Sequence, residues 1–362
     1  MNEGNKMRLT LLALIYLLEN IQGIPLRLEN WIRVRILKSH TKLKISGTIK
    51  SFDLVAIFVI FPGTSPTQSV QRMISTLKRA SYSVVLVVNE NQDYPEAFTQ
   101  TWYRDCLILS RKNIGADFGG YKAAIEHLEN TGNYKKIKSL ALINDSIYIS
   151  PASQETLFSM LIQKSSANCI FLHRQTIEHA ASMFLLFKEE IVQSLLFRNF
   201  WKSYFPYSNK RKIVRKGEHE LSKILGKNVF KPYVNIDSIQ SVKNKTFSLS
   251  EVNQVTEWSG RTSTSAEKFI RANLTNKRYS EVYSYSVFNL QVSNALGLYV
   301  NRVLNVPLKM DLVKLGLATI SEFLDRASHA GASEAEVTEL RQILEKRGSH
   351  LTVSRLRSVL RP

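Results

Sequence analysis

From Leu54 to Phe61 the chain reads LVAIFVIF, an unbroken apolar run closed by Pro62-Gly63. A short run of this kind, rich in β-branched and aromatic residues, predicts a strand buried on both faces, as in a parallel sheet. Between Ser65 and Ala80 the apolar residues Val70, Met73, Ile74 and Leu77 recur at helical spacing behind Pro66, which predicts a helix. Further apolar runs at 84–88 (VVLVV), 106–109 (CLIL), 140–143 (LALI) and 169–172 (CIFL) predict four more strands. Helical patterns fall at 117–128 and 154–163. Strands alternating with helices predict βαβ units and a mostly parallel sheet, with ligands at the carboxyl ends of its strands. After about Ile191 the alternation fades into an aromatic cluster (Phe197, Phe200, Trp201, Tyr204, Phe205, Tyr207). A helix restarts at Gly217–Leu225, and residues 240–280 are polar and read as loops. Ser333 with Glu336 forms a capping-box signature before a last helix that Gly348 ends.

Composition adds one question. The chain has 362 residues, 44% of them hydrophobic, which excludes a disordered or fibrous protein. Two cysteines cannot build a disulfide framework and fit a reducing compartment such as the cytosol. The formal net charge is +19, so an acidic partner is expected: nucleic acid, anionic lipid or a phosphorylated substrate. That charge is unevenly placed, at +6 in residues 1–50, +1 in 51–201, +7 in 202–231 and +5 in 232–362. It flanks the patterned region, which argues against a nucleic-acid-binding element. Leu9–Leu18 (LTLLALIYLL), behind Lys6 and Arg8, is too short to span a bilayer, which takes about 20 apolar residues. It is followed by a basic stretch containing Trp31. The segment suits an anionic membrane surface, giving a cytoplasmic protein peripheral to the inner face of the cell membrane. It equally suits a helix packed on the domain with a solvated charged face.

Two motifs could carry chemistry. Residues 111–122 read RKNIGADFGGYK and open a helix after the third strand. Such a turn presents free helix N–H groups at the sheet's carboxyl edge. Arg111 and Lys122 offer charge to a diphosphate, and Asn113 and Asp117 offer hydrogen bonds to sugar hydroxyls or a base. Gly115 can take positive φ, and Gly119-Gly120 permits close approach. The alternative is a plain capped helix with Asp117 as N-cap and the cations solvated. Asn144-Asp145-Ser146 ends the fourth strand, where a carboxylate can hold a cation bound to substrate phosphates or simply cap a turn. His173 and His179 fit no metal-ligand spacing, and Cys106 and Cys169 read as buried strand residues. No Gly-x-Ser-x-Gly, Walker A or His-Glu-x-x-His motif occurs, and the glycines at 115–120 are not a dinucleotide fingerprint.

Taken together, RKNIGADFGGYK and the following LALINDSIYISP resemble the rhamnan synthesis protein F family. Weaker matches follow in order: SMFLLF at 182–187 with Phe200-Trp201, GEHELS at 217–222 and NVPLK at 305–309. The resemblance covers roughly residues 52–315. It implies a glycosyltransferase of bacterial cell-surface polysaccharide (O-antigen type) synthesis. The implied fold is α/β: a GT-A-like, mostly parallel sheet flanked by helices, with an N-terminal basic helical segment and a helical C-terminal tail. The units would be a basic membrane-proximal segment (1–50), a nucleotide-sugar-binding half (51–200), an acceptor-side half of the same domain (201–315) and a helical extension (316–362).

A nucleotide-sugar donor would give up its sugar, rhamnose being one possibility, to a growing glycan or lipid-linked glycan acceptor. Donor-binding residues would be Phe61, Asn89, Arg111, Asn113, Gly115, Asp117, Tyr121, Lys122, Asn144 and Ser146. Asp145 stands where the family type has an Asp-x-Asp motif for Mg²⁺ or Mn²⁺, and the missing second acid is a departure. An inverting transferase needs a base, for which Glu218 is the candidate, with Asp117 as the other catalytic carboxylate. Glu218 could equally be a carboxylate favoured at a helix start. The rival function is a non-catalytic glycan-assembly scaffold on the membrane that keeps the fold.

Overall fold

The computed structural model describes residues 43–61, 67–90, 105–173, 177–207, 209–226, 228–235, 292–295 and 297–347, with Ile32 and Gly63. The Leu9–Leu18 run, most of the basic segment around it, residues 240–280 and the tail from Gly348 lie outside the described residues.

The strands are β1 (Lys44–Ser46), β2 (Leu54–Ile60), β3 (Ser83–Glu90), β4 (Cys106–Lys112), β5 (Ser139–Asn144), β6 (Ile147–Tyr148) and β7 (Ala167–Cys169). They continue with β8 (Leu172–His173), β9 (His179–Ala180), β10 (Phe184–Lys188), β11 (Phe230–Pro232) and β12 (Leu308–Lys309). The helices are α1 (Thr67–Arg79), α2 (Ala116–Asn130), α3 (Ser153–Leu161), α4 (Glu189–Val192), α5 (Leu195–Ser203), α6 (Lys210–Ile213) and α7 (Glu220–Leu225). After the undescribed stretch come α8 (Val292–Ala295), α9 (Gly297–Leu304), α10 (Asp311–Lys314), α11 (Ile320–His329) and α12 (Glu334–Arg347).

Among the described residues an eight-stranded sheet runs β1-β4-β3-β2-β5-β10-β7-β11. The four central strands β4, β3, β2 and β5 are parallel, while β1 and β10 are antiparallel to their neighbours. Alternation along β2 explains its unbroken apolar run. Val55, Ile57 and Val59 face a core shared with α2 and α5, and Ala56, Phe58 and Ile60 face a second core shared with α1, α3 and the C-terminal helices. From β2 the chain moves outward through β3 to β4, then returns to place β5 on the other side of β2. This reversal leaves a crevice at the carboxyl ends of β2 and β5, where open α/β sheets bind ligands.

The expected strands are present, with informative shifts. β4 runs on through Arg111 and Lys112, because these pair with Asn89 and Glu90 of β3. The CIFL run breaks, and Leu172–His173 leave the main sheet to pair with His179–Ala180. Lys44–Ser46 add an edge strand, so the α/β unit takes in the end of the segment read as a separate basic collar.

The C-terminal helices close one face. Leu340, Ile343 and Leu344 of α12 and Phe323 and Leu324 of α11 join the same core as α1 and α3. Half of the expected capping box forms, with Ser333 Oγ accepting from Glu336 N at 3.3 Å. The Glu336 side chain turns inward instead, fully buried, accepts from Tyr148 Oη at 2.8 Å and pairs with Arg72. The complete capping box is at Thr319 and Glu322, at the start of α11. Both cysteines are buried and unpaired, and burial pushes the Cys106 thiol up to about 11.

Candidate active site

The crevice floor is built by Asp145, one residue beyond β5. Its backbone N–H donates to Val59 O at 3.1 Å, and its Oδ2 accepts from Phe61 N at 2.7 Å. The carboxylate therefore bridges the ends of β2 and β5. Asn144 and Ser146 serve one another, Asn144 Oδ1 accepting from both Ser146 N (3.0 Å) and the Ser146 hydroxyl. Asn144 Nδ2 donates to Asp117 Oδ2 at 2.9 Å, which joins the two sequence motifs in one network.

The 111–122 turn holds its shape through close contacts. Gly115 has φ +82°, and a side chain there would place its Cβ 2.6 Å from Pro206 Cβ. Asp117 is not the N-cap: α2 begins one residue earlier and Gly115 occupies the cap position. The Asp117 carboxylate instead takes Phe118 N on Oδ1 (3.0 Å) and Asn144 and Ser182 on Oδ2.

Two expected phosphate-binding cations are committed inside the fold. Arg111 is buried and donates to Asn89 Oδ1 (2.6 Å) and Ile114 O (2.7 Å), and Asn89 in turn donates to Ala116 O (3.3 Å). Together they pin the turn from beneath. Lys122 is also buried; its ammonium donates to the carbonyls of Trp201 (2.7 Å) and Lys202 (3.1 Å) and pairs with Glu126 at 3.0 Å. It fastens α2 to the end of α5, and neither cation reaches the crevice. Tyr121 is fully buried as well, with its hydroxyl donating to Ser182 O at 3.2 Å. Asn113 is half-buried beside the turn, and Phe61 is half-buried at the crevice edge.

The central feature is a carboxylate pair. Ser182 Oγ lies 2.5 Å from Glu218 Oε1 and 3.2 Å from Asp117 Oδ2, and Ser182 N also donates to Glu218 at 3.4 Å. Glu218 arrives from a π-helical turn, Val214–His219, seated on the ring of Phe118. A Cβ at Gly217 would lie 2.8 Å from that ring, so glycine allows the turn close enough to aim Glu218 at Ser182. Ser182 has one hydroxyl proton to offer two carboxylates whose charges oppose one another, so each holds a proton more readily beside the other than it would alone. Burial pushes both groups the same way. Burial, then the Glu218 charge, raises Asp117 from 3.8 to about 6, and burial raises Glu218 against the pull of Ser182 and Lys309.

This has a consequence for stability. Asp117 holds its proton more tightly folded than unfolded, so rising pH deprotonates the unfolded chain first and weakens the fold between the ordinary value of 3.8 and about 6. Thermal melts across that interval are expected to show wild type losing about 3 kcal/mol relative to Asp117→Asn. A parallel pH dependence in the two proteins would refute the shift.

Around the pair stand residues the sequence did not single out. Lys309, on β12, is held beside the crevice because β12 pairs with β6 and Met310 N donates to Ser146 O at 2.8 Å. It lies within electrostatic reach of Glu218, as Lys210 does of both Glu218 and Asp117. Lys210 pairs with Asp311 at 2.6 Å. Behind Glu218 lie the rings of His173, His179 and His219, His173 edge-on to His179 with centroids 5.2 Å apart and His219 tilted against His179 at 4.3 Å.

The residues present are a poor fit to a protein-held metal. Among the described residues no three His, Cys, Asp or Glu side chains are grouped to hold one. Asp145 supplies a single carboxylate whose Oδ2 already takes an N–H, so a cation there would draw most of its shell from substrate phosphates.

This geometry can be set beside known proteins. Residues 84–255 match the family model of rhamnan synthesis protein F. The rhamnan synthesis protein F match contains the 111–122 turn, Asp145, Ser182 and Glu218, while β2 and Lys309 lie outside it. The chain is also 27% identical over 198 residues to the uncharacterized protein y4gN of Sinorhizobium fredii (strain NBRC 101917 / NGR234), covering 52% of this chain and 51% of that one. It thus spans about half the length of the curated relative it matches. A solved glycosyltransferase involved in the glycosylation of the major capsid of PBCV-1 aligns over 51% of this chain and 83% of its own, with TM-score 0.30 and 8% identity. Among the described residues no helix is long and apolar enough to cross a membrane.

Ser182, quoted only as the first residue of SMFLLF, and His173 and His179 had no role legible in the sequence, for a common reason. They are brought to Glu218 by a short excursion between β7 and β10, and no local spacing encodes that contact. Lys309 carried a faint signal, as the last residue of NVPLK.

Proposed function

We propose that this protein is a glycosyltransferase of bacterial surface polysaccharide synthesis, moving a sugar from a nucleotide donor to a glycan acceptor with inversion. The observation that carries the reading is the Asp117–Ser182–Glu218 network. It sets a half-buried carboxylate pair, raised in pKa, beside the crevice where a doubly wound sheet binds nucleotides. It lies within the segment that matches rhamnan synthesis protein F.

In this reading the GT-A-like sheet holds the base near Phe61 and the diphosphate over Asn144–Ser146. Lys309, with Lys210 behind it, takes the role expected of Arg111 and Lys122, balancing charge on the leaving diphosphate. Any Mg²⁺ or Mn²⁺ would rest on Asp145 and the donor's own phosphates. Glu218 removes the acceptor proton, and Asp117 and Ser182 hold it in place. Rhamnose as the sugar, a lipid-linked acceptor and a cytoplasmic position on an anionic membrane through residues 1–50 belong to the same proposal.

The test is a panel of nucleotide sugars offered to the purified protein, read by thermal shift and donor hydrolysis. One donor is expected to bind, with Lys309→Met weakening it about 10–100-fold, as for a lost charge-assisted hydrogen bond. Silence across the panel would favour the non-catalytic scaffold.

A further inference from the structure

His173 and His179 were unremarkable in the sequence. The structure places them on paired strands β8 and β9, six residues apart in the chain yet ring to ring. His179 is 4% exposed. Its Nδ1 lies 2.7 Å from Ile177 O, a carbonyl that can only accept, so Nδ1 carries the proton and the neutral ring presents a bare lone pair at Nε2. That Nε2 is buried, lacks a hydrogen-bond partner among the described residues, and faces Glu218 Oε2 at 3.6 Å. While Glu218 is ionised, these two acceptors face each other without a proton between them, and a proton taken up by Glu218 closes a hydrogen bond to Nε2. The opposite oxygen of Glu218 is already engaged with Ser182.

We infer that His179 is a positioning residue for Glu218, orienting its carboxylate and receiving the proton that Glu218 takes from the acceptor. This rests on the glycosyltransferase reading above for the source of the proton, though not for the His179–Glu218 contact itself. In the transfer step the acceptor oxygen bonds to the anomeric carbon. The carbon–oxygen bond to the nucleoside diphosphate breaks with its electron pair on the diphosphate, and the acceptor proton goes to Glu218. Glu218 then passes that proton to His179 Nε2 and is again a carboxylate; the resulting imidazolium loses it to solvent as products leave.

The surroundings suit a transient charge. The groups facing His179 are Glu218 and His219 from the π turn, His173 from β8 and Lys309 from β12. Only Glu218 is acidic, so Lys309 and the neighbouring rings oppose a lasting imidazolium. Burial, then Lys309, lowers the His179 pKa despite the Ile177 carbonyl, which keeps the ring neutral and ready to accept between turnovers. His173 is different in role: it is equally buried, but its Nε2 is 3.0 Å from Ser293 Oγ.

The experiment has two arms on the full chain. In the first, ring-nitrogen NMR of wild type and Glu218→Gln is followed through pH. His179 is expected as the Nδ1–H tautomer, with its titration midpoint lowered when the carboxylate is removed. An Nε2–H tautomer or an unmoved midpoint would overturn the inference. In the second, His179→Gln is expected to lower kcat about 100-fold with donor KM unchanged and to displace the acid limb of the kcat profile. His173→Gln should leave that limb in place. A wild-type kcat and limb in His179→Gln, or equal displacement in both variants, would also overturn it. If wild type transfers no sugar while Glu218→Gln still moves the His179 midpoint, the glycosyltransferase reading fails and the proton-sharing pair stands.

Discussion

Glu218→Gln is expected to lower sugar transfer by about 10³-fold while leaving donor affinity and folding intact, since general-base catalysis contributes roughly 10²–10⁴. Glutamine keeps an oxygen to accept from Ser182 N and Oγ, so the π turn stays seated against Phe118. It also removes a half-buried charge that the site disfavours, so the variant should melt no lower than wild type at neutral pH. Asp117 gives a second readout. Part of its rise to about 6 comes from the Glu218 charge, so its midpoint should fall in the variant. Unchanged transfer in a correctly folded Glu218→Gln protein would remove Glu218 from the base role. An unmoved Asp117 would break the carboxylate pair as well.

The second large effect lies outside the carboxylate pair. Glu336 is fully buried on α12, paired with Arg72 of α1 and accepting from Tyr148 Oη. Arg72 also donates to Ile149 O at 2.7 Å, so one ionic cluster ties the C-terminal helices to the strand end beside the crevice. Glu336→Ala would leave a largely buried guanidinium without its paired carboxylate, with Glu339 the one carboxylate among the described residues left within electrostatic reach. Losses of about 3–5 kcal/mol are typical of a buried pair broken on one side. Thermal unfolding should shift down by about 10 °C. The double variant Arg72→Met with Glu336→Leu should recover most of this, because apolar packing can replace a buried ion pair. A Glu336→Ala protein as stable as wild type would mean that α12 is not anchored there.

Much of the central sheet was legible because its strands are buried on both faces. LVAIFVIF, VVLVV and LALI have no polar alternation to confuse with a helix, and their order alone implied a crevice at their carboxyl ends. The 111–122 turn was legible too, since its glycines mark positions where the backbone needs room. What its cations do was not. Arg111 sits in a polar motif and reads as solvent-facing, yet β4 pairing carries it into the sheet, where its two terminal nitrogens donate to Asn89 and Ile114. Lys122 lies one helical turn from the crevice, and only the packing of α5 on α2 gives it two carbonyls to bind. The C-terminal helices showed the same limit. Ser333-x-x-Glu336 is a correct cap signature, but a buried arginine on a distant helix outcompeted the cap for the glutamate side chain.

The sequence by itself determined the mixed α/β class, the strand succession, the turn after the third strand and the resemblance that the family match supports. These are local properties: apolar periodicity, glycine placement and contiguous motifs. Tertiary structure alone decided which charges meet. Ser182, His179, Glu218 and Lys309 come from four separate elements, and their convergence depends on the path of the chain after the sheet. Burial then set their chemistry, since a carboxylate's proton affinity follows from the water it loses and the charge it faces, and neither is written in its neighbours along the chain.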